Sequence, residues 1–598
     1  MKSSNISTLK HKLSKLLTTK FGFILLGVTS TIWFLIRVIP KPQRATYPCM
    51  QASAPFMSGL VVYLISLFGS IGSYWQLKRN YLSFKYLKAG FYLLSSIVLF
   101  VVFLAQHNLS TYANETTAKL TAPVGEGRGI FPGRVVWIYD PAATKFDGQT
   151  GYWWDDSNTI QAEANRMVKA SITTLTAQEK PAAAWDALFR HFNMTKKNKL
   201  VGYVKGQKIA IKVNMNNTTG HADSRNINGS PQLIFALLTS LIKEAKVPEN
   251  CITVFDASRF ITDNIYNKCH NQYPEVNFVD NIGGDGRIKT TYVENAIPFT
   301  MKNLPFACGL ATCAVEADYL INMALLKGHS AQGVTLCAKN WFGVTSIYSD
   351  FKKNGGVHGY FSANPTGKDQ YMRFVDFMGH KDLGEKTLLF MIDGLYASDF
   401  VSGVPSKKWK MKPFNNRWPS SLFVSQDGVA IDAVGRDFLV SEWPQMPDLL
   451  YSEKYLVEAA QANEPPSKTF YDPEKDGIKC RSLGVMDSWN NSDQKQYSRN
   501  LGKKEGIELS FVDLSKSKSI KISDMQRLKL DTNSAQSILY VMNCDPDAQI
   551  QLFDSLGTII KSEKLARNQF NIGQLARGEY NFSIKDNRMC IVEKFVKN

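Results

Sequence analysis

The stretch NMALLKGHSAQGVTLCAKNWFG, residues 322–343, places two lysines and a histidine, Lys327, His329 and Lys339, within thirteen positions. Two ammonium groups and one imidazole next to Asn340 supply donors for an anion and a group that exchanges a proton near neutrality. Gly328, Gly333 and Gly343 lie between and beside them and allow close backbone approach to a ligand. The chemistry expected of this run is acid–base catalysis on a small anionic molecule. His329 is the general acid or base, and Lys327 and Lys339 are catalytic cations.

Other polar residues follow apolar runs, where the strands of an open α/β sheet would end and where such sheets bind ligands. Lys212 and Asn214 follow KIAI, Asp256, Ser258 and Arg259 follow CITVF, Asp393 follows LLFMI and Asp427 follows LFVS. The predicted ligand-binding set is therefore Lys212, Asn214, Asp256, Arg259, Asn340, Asp393 and Asp427. Lys212 continues an apolar strand, and an unpaired ammonium is costly to bury, so a carboxylate partner or a bound anion is predicted for it. Asp256 or Asp393 would orient the imidazole or hold a divalent metal, and the metal version has the weaker support because one histidine lies nearby. Asp256 and Asp427 also fit as helix caps. A glycine-rich stretch, 354–380, with His358 and His380, reads as a lid over the strand ends.

Positioning these groups requires an α/β fold with a mostly parallel sheet and flanking helices. Strands are predicted at 135–139, 208–213, 252–255, 276–279, 319–322, 388–391 and 422–424. Helices are predicted at 159–175, at 231–245 behind Ser230 and Pro231, and at 428–441 behind Asp427. This α/β domain spans 125–463. Residues 464–534 turn polar and read as an irregular extension or linker. Residues 535–598 carry short strands separated by turns, the pattern of a small antiparallel β-sandwich.

The 598 residues carry 70 Lys+Arg and 52 Asp+Glu, a net charge of +18. Residues 1–114 hold twelve of the bases and no acid, so the remaining 58 bases face 52 acids. The excess belongs to one segment, which argues against nucleic acid as a partner. Within 1–110, apolar stretches at 21–39, 56–75 and 89–106 approach the roughly 20 residues that cross a bilayer, which predicts three transmembrane helices and an integral membrane protein. The basic residues before the first and between the second and third place the amino terminus in the cytoplasm. The large carboxyl-terminal region is then periplasmic, on a bacterial inner membrane. Nine cysteines are scattered without a C-x-x-C pair, so there is no iron–sulfur motif and the cofactor stays undetermined.

GYVKGQKIAIKVNMN, SPQLIFALLTSLIKEAKVPENCITVFDASR, KGHSAQGVTLCAKNWFG and SQDGVAIDAVGRDFL, in that order, resemble successive signature segments of the domain of unknown function 362 family, over about 134–442. Some members of that family carry ferredoxin-like cysteine clusters, which this chain lacks. The segment from IQLFDSLGTIIKSEKL to KFVKN resembles a type A sorting domain of the type IX secretion system of Bacteroidetes-like bacteria. Combined with three membrane spans, it implies a retained accessory β domain. The function expected is a membrane-anchored extracytoplasmic protein that binds a small anion with Lys/His acid–base chemistry. The alternatives are a non-catalytic cell-envelope binding or assembly module, and a redox protein that has lost its cluster domain.

Overall fold

The computed structural model describes residues 68–96 except 70, 84 and 89. It also describes 122–597 except 301–307, 330–332, 347–370, 445–451, 517–528, 532–537, 543–547, 566–568 and 586–589. The chain divides into two units, Met1–Ala118 and Lys119–Asn598. The three expected membrane helices are not supported, because among the described residues no helix is long and apolar enough to cross a membrane. The stretch 21–39 and parts of the other two lie outside the described residues. The helical residues 71–82 and 90–96 fall short of a span, and the first includes Lys78 and Arg79. The described residues therefore do not support the expected integral-membrane domain or the topology built on it.

The second unit is organised by a ten-stranded sheet. Its strands are β1 Arg134–Tyr139, β2 Ile209–Lys212, β3 Ile252–Asp256, β4 Asn277–Asp280 and β5 Ile288–Lys289. They continue with β6 Tyr319–His329, β7 Gly333–Thr335, β8 Thr387–Ser398, β9 Ser421–Ser425 and β10 Glu508–Asp513. The order is β10-β1-β9-β8-β6-β2-β3-β4-β5, with β7 folded back on β6. Every predicted strand falls on one of these. Neighbours run parallel except at β9, which is antiparallel to both β8 and β1, and at the β7 hairpin.

Burial explains why these runs are almost continuously apolar. All eleven residues of β6 are buried; Ile321, Met323 and Leu325 enter one core, and Leu320, Ala324 and Leu326 enter the other. A sheet covered on both faces needs helices on both. The first core is closed by α1 Gln161–Thr176, α2 Pro181–Lys197, α3 Pro231–Thr239 and α4 Asp263–His270. The second is closed by α5 Cys337–Asn340, α6 Arg373–Gly379, α7 Gly428–Glu442 and α8 Glu453–Ala460. Of the proposed lid, 354–370 lies outside the described residues, and 371–380 runs through the buried α6 to His380, whose Nε2 meets the Ala296 carbonyl at 2.9 Å.

The polar region 464–534 contributes more than a linker would. Tyr471, Trp489 and Tyr497 are buried in the second core, and β10 pairs in parallel with β1 at the sheet edge. Beyond it, β11 Lys529–Asp531, β12 Ile538–Met542 and β15 Gln569–Asn571 form one antiparallel sheet. A second contains β13 Gln549–Phe553, β14 Ile559–Lys564, β16 Gly578–Lys585 and β17 Cys590–Lys597.

The reversal of β9 has a direct effect on Asp427. The residue follows a strand that ends at the opposite edge of the sheet from the carboxyl ends of β2, β3 and β6. Its carboxylate there accepts Val429 N–H (3.0 Å) and Ala430 N–H (2.9 Å) at the start of α7, together with Arg128 N–H (2.9 Å) and Val485 N–H (3.1 Å). Burial pushes it up to about 6 against these four donors. Asp427→Ala leaves several buried N–H groups without an acceptor, so chemical denaturation is expected to show a loss of about 2–4 kcal/mol. A loss below about 1 kcal/mol would mean that those donors find other partners.

Candidate cationic site at the strand ends

The site begins with a lysine at the end of an apolar strand. Lys212 closes β2 with 1% of its surface exposed. Its Nζ donates to Asp256 Oδ2 (3.1 Å), to the Val213 carbonyl (2.6 Å) and to Asn340 Oδ1 (3.2 Å), which uses all three ammonium protons. Parallel pairing makes this contact unavoidable, since Lys212 lies opposite Phe255, the residue before Asp256 at the end of β3. Gly343 packs so closely that a Cβ there would sit 2.6 Å from Lys212 Nζ and 2.9 Å from Asp256 Oδ1. Its carbonyl accepts Ala257 N–H at 2.9 Å.

Asp256 has no capacity left. Besides Lys212, it accepts Met215 N–H (3.0 Å) on Oδ2, and Ser258 N–H and Oγ (both 3.1 Å) on Oδ1. A carboxylate offers about four acceptor positions, and these are filled.

Two further lysines reach the same region. Lys327 on β6 is wholly buried, and among the described residues its Nζ donates one hydrogen bond, to Asn216 Oδ1 at 2.5 Å. Burial, and then the charge of Lys339, hold its pKa well below the usual lysine value. Lys339 on α5 keeps partial solvent contact, and its Nζ lies 4.1 Å from the centre of the Phe342 ring. Burial and the nearby charges of Arg373, Arg259 and Lys212 push it down to about 7. Arg259 is anchored by Nε to the Asn216 carbonyl (3.2 Å) and by Nη1 to the Ser258 carbonyl (3.0 Å). Arg373, at the start of α6, is buried and lies 5.0 Å from the same Phe342 ring.

An amide relay holds α5 against the strands. Asn322 Nδ2 donates to the Cys337 carbonyl (2.9 Å), Asn340 Nδ2 donates to Asn322 Oδ1 (2.8 Å), and Asn214 Nδ2 donates to Asn340 Oδ1 (3.1 Å). From the opposite side, Asp432 of α7 accepts Cys337 N–H (2.8 Å) and Ala338 N–H (2.9 Å), with the Tyr455 hydroxyl at 3.0 Å. A single turn of helix is thereby fixed at both ends, which sets the positions of Lys339 and Asn340.

Lys212, Asn214, Asp256, Arg259, Lys327, Lys339 and Asn340 are thus gathered by the carboxyl ends of β2, β3 and β6. Asp393 and Asp427 are used elsewhere. Asp393 Oδ2 accepts Ser230 N–H at 2.9 Å, so it anchors the start of α3, where Ser230 makes no side-chain cap. His329 closes β6 opposite Gly333 in the hairpin, two residues past Lys327. Three participants were not foreseen: Asn216, Asn322 and Arg373. Asn216 was readable as the second asparagine in VNMN after Lys212, whereas Arg373 had no local signal, being brought in by α6 from a distant segment.

A cleft of about 560 Å³ opens at the other end of the sheet, lined by Arg128, Lys196, Glu385 and Gln426 among others, and contains none of the cluster residues. Its charges are largely matched internally. Glu385 bridges Arg128 and Lys196, and despite burial these two cations bring it down to about 2. The strand-end cluster has the larger imbalance, with Lys212, Arg259, Lys327, Lys339 and Arg373 against Asp256, and is the better candidate for chemistry.

No curated protein and no solved structure matches the chain. Residues 209–437 match the family model described as domain of unknown function (DUF362). That interval runs from the first residue of β2 into α7 and contains every member of the cluster. Residues 533–598 match the model described as secretion system C-terminal sorting domain. This match indicates secretion, so it overturns the expected inner-membrane placement with a cytoplasmic amino terminus. The chain therefore carries a domain of the domain of unknown function 362 family at 209–437, and a secretion-system C-terminal sorting domain at 533–598.

Proposed function

We propose that the strand-end cluster binds a small anion carrying about two negative charges. The observation that carries this reading is the imbalance around Asp256. Lys212 uses the carboxylate, and Lys327 and Lys339 make no ion pair among the described residues. A buried ammonium without a counter-charge costs several kcal/mol, and an anion bridging the two lysines offsets that cost. Arg259 and Arg373 raise the local positive potential further. The sorting-domain match supports action on a ligand met outside the cytoplasm.

Lys339 is the group in this reading that exchanges a proton near neutrality, since its amine titrates at about 7. Turnover would rest on that amine in preference to His329. A ligand-holding module without turnover uses the same contacts, and the two readings separate on whether the ligand is recovered unchanged after incubation with the protein.

Sulfate, whose charge is constant near neutrality, is the simplest probe. It is expected to raise the melting temperature of the full-length chain, with the effect lost in Lys327→Met and in Lys339→Met. Without sulfate, Lys327→Met is expected to be as stable as wild type, or more stable by about 1–3 kcal/mol, because it replaces a buried ammonium with an apolar chain of similar length. Variants that keep the full sulfate shift would sink the assignment.

The pH dependence follows from the depressed Lys339. Its folded pKa of about 7 lies below the unfolded value of roughly 10.4, so between these limits the unfolded chain binds more protons. Stability of the ligand-free protein should therefore rise from about pH 7 towards pH 10, and this component should vanish in Lys339→Met. Sulfate affinity should fall over the same range as the amine loses its charge. A flat profile that is identical in wild type and variant would contradict the assignment.

A further inference from the structure

The amide relay has a polarity, and the polarity ends on an unfilled position. Asn322 Nδ2 is committed to the Cys337 carbonyl, which turns Asn322 Oδ1 towards Asn340. Asn340 Nδ2 also faces the Lys212 and Met323 carbonyls, both at 3.3 Å, so its amide cannot be reversed without setting oxygen against oxygen. Asn340 Oδ1 is then the acceptor shared by Lys212 Nζ and Asn214 Nδ2. Asn214 is left with its amide oriented and its Oδ1 buried without a hydrogen-bond partner among the described residues, although the residue is 5% exposed.

A buried acceptor without a donor keeps its full desolvation cost, with no hydrogen bond to offset it. Here it lies on the loop that leaves β2, two residues before Asn216, the residue that holds Lys327 Nζ. One end of the cluster therefore calls for negative charge, and the Asn214 end calls for a hydrogen-bond donor. Sulfate or a fully ionised carboxylate answers the first demand and not the second.

We infer, on the basis of the anion-binding reading above, that the ligand is a hydroxylated polyanion whose anionic group lies between Lys327 and Lys339 and whose hydroxyl donates to Asn214 Oδ1. Phosphorylated polyols and hydroxy-polycarboxylates share this chemistry. Discrimination in favour of the hydroxyl arises because a hydroxyl-free analogue leaves a desolvated acceptor unsatisfied.

Matched ligand pairs test this on the unmodified full-length chain by calorimetric titration. One pair is glycerol 3-phosphate and propyl phosphate. The other is citrate and propane-1,2,3-tricarboxylate, which differ by the hydroxyl alone. In at least one pair the hydroxylated member is expected to bind about tenfold or more tightly than its mate. The pair that shows the difference identifies the phosphate or the carboxylate class. Asn214→Ala removes the Asn340 contact for both members alike, so the expected result is that the gap within that pair closes to about twofold or less whatever loss the two share, with circular dichroism confirming the fold. Equal binding within both pairs, or equal weakening of both members by Asn214→Ala, would overturn the inference while leaving anion binding intact. Failure of every polyanion, sulfate included, to bind wild type would overturn the anion-binding reading itself.

Discussion

The Lys212–Asp256 pair is the constraint on which the rest of the site depends. It forms because two parallel strands end side by side in a sheet covered on both faces, where neither charge could be left alone. Once formed, it consumes the carboxylate, with two backbone N–H groups and the Ser258 hydroxyl taking its remaining capacity. Every further cation brought to these strand ends adds charge that this carboxylate cannot neutralise. The depressed lysines on β6 and α5 are the electrostatic record of that arrangement.

The two edges of the sheet show the same residue types used in opposite ways. At the amino-terminal edge of β8, Glu385 takes two cations at once, so most of the charge in the cleft there is paired within the protein. At the carboxyl-terminal edge a single acid is surrounded by several bases. Salt bridges that balance are a weak sign of function, since folding alone suffices to retain them. A buried surplus of one sign destabilises the empty protein and so points to something that the fold is arranged to receive.

Much of this was legible from residue order, because burial on both faces writes a strand as a continuous apolar run and the polar residue after it marks the strand end. That logic located Lys212, Asp256 and Arg259 and foresaw a counter-charge for Lys212. It misplaced Asp427 as a ligand residue because an apolar run carries no direction and β9 runs against its neighbours, whereas the helix-cap reading of the same residue holds at the start of α7. It failed at Arg373 because α6 reaches the site through tertiary packing. The edge strand β10 escaped notice because six alternating residues, Glu508–Asp513, sit inside a polar stretch. The apolar amino-terminal stretches predicted a membrane domain from length and hydropathy alone. No described helix bears that out, and the matched carboxyl-terminal domain points to secretion.

Asp432 ties the short helix that carries Lys339 to two larger bodies at once. Its carboxylate takes the first N–H groups of α5 while belonging to α7, and it also receives a hydroxyl from α8. The backbone at position 339 is consequently tied, through one acid, to α7 and to Tyr455 on α8. The outer helical layer and the charged strand ends therefore share one carboxylate, so a change that displaces Asp432 reaches both.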